Sequence, residues 1–99
     1  MAYSEGVRSV DLAIYADTLA GEAAAVAARL ERARSRLREL AIEREARREL
    51  PRETIERLER LGLLRPADER RLSVELRRLE CDLAAVGALQ AWVESRLAA

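Results

Sequence analysis

LSVELRRLECDLAAVGALQAWVESRL, residues 72–97, places Leu72, Leu76, Leu79, Leu83, Val86, Val93 and Leu97 at steps that alternate four and three. A strand would repeat every second residue, whereas this spacing is the a/d pattern of a helix with one packed seam. Gln90 is the only polar residue in the series. Two readings stay open for it: a buried amide that fixes register, or a side chain that snorkels at the seam edge.

Upstream, Leu19, Ala23, Val26, Leu30, Ala33, Leu37 and Leu40 repeat the same alternation. Two seams in one chain predict two long helices folding back on each other. Leu50-Pro51 separates them from a shorter segment that carries Ile55, Leu58 and Leu61 on one face, with Gly62 placed to stop it and Leu63 to fold back on the last turn. Arg65-Pro66 forbids smooth helical passage, and Pro66 is expected to restart a helix. The expected order is a long helix over about 8–50, a short one over about 51–61 and a long one over about 66–98, in a single domain. Ser4 or Ser9 would cap the first. Pro51 either kinks the first helix or breaks it. The fold class is therefore all-α: a long antiparallel helical hairpin, coiled-coil-like, with a short elbow helix.

Composition agrees. Ala, Leu, Arg and Glu dominate the 99 residues, Phe and Asn are absent, and Tyr3, Tyr15 and Trp92 are the only aromatics. Such a chain has an aliphatic core of modest size, which association with a second chain would help. Both chain-end segments, 10–28 and 81–93, are apolar around most of the helix circumference. In the last helix Cys81, Ala85, Ala88 and Trp92 make a second apolar face beside the seam, and Val10, Ile14 and Tyr15 broaden the first helix. A helix apolar on most sides is buried on most sides. A homodimer whose open ends form a four-helix bundle would cover the surplus, with those seven residues as its dimer or partner interface. A compact three-helix domain, with the short helix covering the second face, is the alternative.

Charge divides the chain differently. Residues 29–80 hold 16 Arg and 12 acids, although the whole chain balances at 18 basic and 18 acidic residues. Most charges can pair along their own helix, as Glu43 with Arg47, Glu53 with Arg57, Glu56 with Arg60 and Arg71 with Glu75. Arg29, Arg32, Arg34, Arg36 and Arg38 are the exception, with like charges at i,i+4. They are candidate phosphate contacts, and a nucleic-acid-associated protein is the alternative function they suggest. The competing expectation is a solvated face, or one completed by acids of the last helix.

Histidine is absent, which removes the usual general base near neutral pH and the commonest metal ligand. The lone Cys81 is expected to be packing and not a nucleophile. The acid pairs Glu53/Glu56 and Asp68/Glu69 sit in nothing resembling a calcium loop. A helix-turn-helix over residues 53–77 would set Asp68 and Arg71 where that motif wants apolar residues. We therefore expect no catalytic, cofactor or metal site, no small-molecule substrate, a protein partner, and a soluble cytoplasmic chain without membrane span or leader.

Overall fold

The computed structural model describes residues 7–99, so Tyr3 and the alternative cap Ser4 lie outside the described residues. Three helices follow in order: α1, Ser9–Glu49; α2, Arg52–Arg60; and α3, Glu69–Ala98. The chain divides into two compact units, and within each a stretch of α1 packs against a stretch of α3.

The first unit joins α1 as far as Leu30 to α3 from Arg78 onward. Leu12, Leu19, Val26, Leu30, Leu79 and Val93 are buried there, and Leu12, Leu19 and Val93 form one cluster with Ala16 against it. Val93, only 1% exposed, is the most enclosed large side chain. The seam thus extends one heptad upstream of Leu19, to Ala16 and Leu12, so part of residues 7–18 does find a partner within the chain.

The second unit runs from Glu31 to Arg77. Ala33 and Leu40 continue the seam, Leu64 enters it from the loop, and Leu37, Leu72 and Leu76 are half-buried. The next inward position is Glu43, three residues beyond Leu40 where the alternation calls for four. Leu37, Leu40, Glu43 is two steps of three in succession, a local overwinding of the heptad pattern.

Pro51 breaks the chain of helix bonds and does not kink it. Leu50 N–H still donates to Ala46 O (2.9 Å), but Pro51 is extended at φ −61°, ψ 150° and serves as the N-cap of α2, its carbonyl accepting from Ile55 N–H (3.0 Å). Gly62 stops α2 as its position suggests. It takes φ +76°, Gly62 N–H donates to Glu59 O (3.1 Å) and Leu63 N–H to Leu58 O (3.0 Å), which is a Schellman cap. The apolar residue that folds back is Leu64, not the expected Leu63: Leu64 is buried and Leu63 exposed.

α3 starts at Glu69, three residues later than Pro66 suggests. Asp68 is the cap, its Oδ1 accepting from Arg71 N–H (3.1 Å) and its carbonyl from Leu72 N–H (3.0 Å). An aspartate one residue before Glu69 satisfies donors that Pro66 has no means to satisfy, and residues 65–68 take no regular secondary structure.

Candidate functional site

Two arrangements of side chains stand out, one in each unit. In the second unit, Glu43 of α1 points into the seam with its carboxylate nearly enclosed. Arg36, two turns earlier on the same helix, donates to Glu43 Oε2 at 2.6 Å and to Glu39 at 3.1 Å. The loop closes the set. Arg65 N–H donates to Glu43 Oε1 (3.1 Å), Arg65 O accepts from Arg36 Nη2 (3.2 Å), and the Arg65 side chain reaches Glu39 (3.5 Å). Both backbone polar groups of one loop residue, Arg65, are therefore held by an ion pair on α1.

The electrostatics follow from that geometry. The Arg36 hydrogen bond, outweighing burial and aided by Arg65 N–H, holds the Glu43 carboxyl below the usual carboxylate range. Glu43 in turn raises the Arg36 guanidinium. Arg44 is raised by its hydrogen bond to Glu69 at the start of α3. Arg47 turns to Glu59 of α2 (3.6 Å) and leaves Glu43 to Arg36, which replaces the i,i+4 pair expected between Glu43 and Arg47.

The arginine run is thus divided. For Arg36 the acids come from its own helix, aided by a loop carbonyl, and not from the last helix. Arg38 bonds Ser35 Oγ (2.9 Å) and lies 3.9 Å from Glu31. Arg34 has a partner, while Arg29 and Arg32 are exposed and make no ion pair among the described residues. Glu53, Glu56, Arg57 and Arg60 line an open, solvated depression along α2. Among the described residues no group of three or more acids or cysteines is placed to hold a metal ion. Residues 61–68 separate α2 from α3, longer than the three- or four-residue turn of a helix-turn-helix.

In the first unit, the seven residues Val10, Ile14, Tyr15, Cys81, Ala85, Ala88 and Trp92 are all exposed. Ile14 and Trp92 are 63% and 49% exposed, large values for side chains that cost water so much to cover. Cys81, expected to be packing, is not a core residue of the single chain. Cys81, Ala85, Ala88 and Trp92 step by four, three and four, so α3 carries a second heptad stripe outward from the Leu79–Val93 seam. Arg96 lies 5.4 Å from the Trp92 ring centroid, a cation over an aromatic face at the rim of that stripe. Gly21 of α1 has nothing within 4 Å of where a Cβ would stand, so no contact within the chain calls for glycine there.

Periodicity alone could not reveal the Glu43 arrangement, because it treats an acid as a gap in the seam. The usable signal was an acid following Leu40 with an arginine seven residues earlier on the same face. No described helix is long and apolar enough to cross a membrane. No family model, no curated protein and no solved structure matches this chain.

Proposed function

We propose that the chain is a non-catalytic helical interaction module that self-associates as a homodimer and presents its charged elbow to a protein partner. The observation that carries this is the exposed apolar face of the first unit, on both helices, turned away from the hairpin seam. The absence of histidine, and with it of every Ser-His or Cys-His pair, speaks for a binding role.

Light scattering after size exclusion tests it: a mass near twice 11.1 kDa is expected, with a melting temperature that rises with protein concentration. A monomer at about 100 µM, on the usual affinity scale, would refute self-association.

Arg29 and Arg32, exposed and without ion pairs among the described residues, support a second reading, that the outer face of α1 grips phosphates. Duplex DNA or RNA would then bind at low salt and release steeply toward physiological salt. No binding at low salt would remove that reading.

A further inference from the structure

The outward face of α3 is self-complementary in a way that specifies its occupant. Asp82, Leu89 and Arg96 are spaced seven residues apart, so they lie in one row beside the Cys81–Ala85–Ala88–Trp92 stripe. Leu89 is 37% exposed, and Asp82 and Arg96 are exposed at equal distances to either side of it. Asp82 makes no ion pair among the described residues, and Arg96 has only the Trp92 ring. A row that reads acid, apolar, base becomes base, apolar, acid when reversed. It therefore matches an antiparallel copy of itself.

We infer that two copies of the chain pack α3 against α3, antiparallel, about a two-fold axis beside Leu89 and Gln90. This rests on the self-association proposed above and names its axis. An axis there sets Leu89 against Leu89 of the second copy, and it pairs Asp82 with Arg96 twice over. It also sets Trp92 opposite Ala88 of the second copy, so the one bulky side chain of the stripe meets a small one. On the other flank Ala91 faces Ala91 and Ala84 faces Ala98, with no like charges opposed. Moving the axis one half-heptad toward the N-terminus sets Asp82 against Leu89 and loses the match.

Charge reversal tests the axis at residues that are exposed and outside both seams. At low salt, Asp82→Arg and Arg96→Asp are each expected to weaken the dimer about tenfold, since each opposes like charges at two symmetric contacts. The double variant D82R/R96D should restore the wild-type constant to within about twofold, because the pair is only exchanged. Covalent trapping is an independent readout. In a Cys81→Ser background, Leu89→Cys should oxidise to a disulfide-linked dimer, whereas the native Cys81 should not, being about 27 Å from its equivalent on a helix rising 1.5 Å per residue. If the wild type dimerises but the double variant is no better than the singles, or Leu89→Cys fails to cross-link, the axis is wrong and self-association stands. If the wild type stays monomeric, both fall.

Discussion

Truncating Glu43 to alanine removes the acceptor for two donors at once, Arg36 Nη1 at 2.6 Å and Arg65 N–H at 3.1 Å, from a carboxylate with only 9% of its side chain exposed. A hydrogen bond to a charged group contributes about 1.5–3 kcal/mol, and stripping one partner from a buried ion pair costs about 3–5 kcal/mol. Arg36 keeps Glu39 and the Arg65 carbonyl, so it is not left unpaired, and the cost should fall near the lower figure. We expect Glu43→Ala to destabilise the chain by about 2 kcal/mol, or about 8–16 °C in melting temperature for a domain of this size. Glu43→Gln retains an oxygen for Arg65 N–H and loses only the charge, so it should cost about half as much. Thermal and urea unfolding followed by helical circular dichroism, at one fixed protein concentration, measures both. Amide exchange at Arg65 should accelerate in the alanine variant. A loss below about 0.5 kcal/mol, within the range of ordinary surface substitutions, would refute the view that this pair holds the loop. The pH dependence has a definite sign. Because the folded carboxyl sits below its ordinary 4.5, its stabilisation is complete above that pH. It declines as pH falls toward the folded value, and Glu43→Gln should flatten that decline.

Other substitutions separate the roles assigned here. Arg36→Glu should cost more than about 2 kcal/mol while Arg32→Glu stays within about 0.5 kcal/mol, which urea titration of the two variants compares directly. Asp68→Ala removes the α3 cap and should cost about 1 kcal/mol, and Asp68→Asn should recover most of it. Gly62→Ala forces a Cβ into φ +76° and should destabilise by about 1 kcal/mol. Gly21→Ala, with open space at its Cβ, should raise helix stability by about 0.5–1 kcal/mol, read as a higher melting temperature.

The seams of both long helices were legible because each apolar position repeats the same evidence, and Val93, Leu79, Val26 and Leu19 are all inside. The stop at Gly62 was legible because φ > 0 has few residues that tolerate it. The start of α3 was not, since Pro66 and Asp68 are both good starts and the choice depends on where Arg65 is anchored by α1. Which arginines are engaged was likewise hidden. Arg36 has Glu39 and Glu43 ahead of it on its own helix where Arg32 has Ser35 and Glu39, but its bond to the carbonyl of a loop residue 29 positions away has no local signal. Leu63 and Leu64 pose the same difficulty: adjacent, chemically identical, and sorted to opposite environments by the backbone after Gly62.

The grip on the Arg65 backbone also makes the two residues after it into a ruler. Arg36 and Glu43 recognise a backbone amide and carbonyl, so almost any side chain at 65 would satisfy them. Only Pro66 and Ala67 lie between that fixed residue and the Asp68 cap. One residue more or less in that interval would turn α3 by about 100° about its own axis. Leu72 and Leu76 would swing off α1, and charged neighbours would take their place. The loop can therefore change its letters freely but not its length. An insertion of one residue at 66–67 should do more damage than replacing both residues at once.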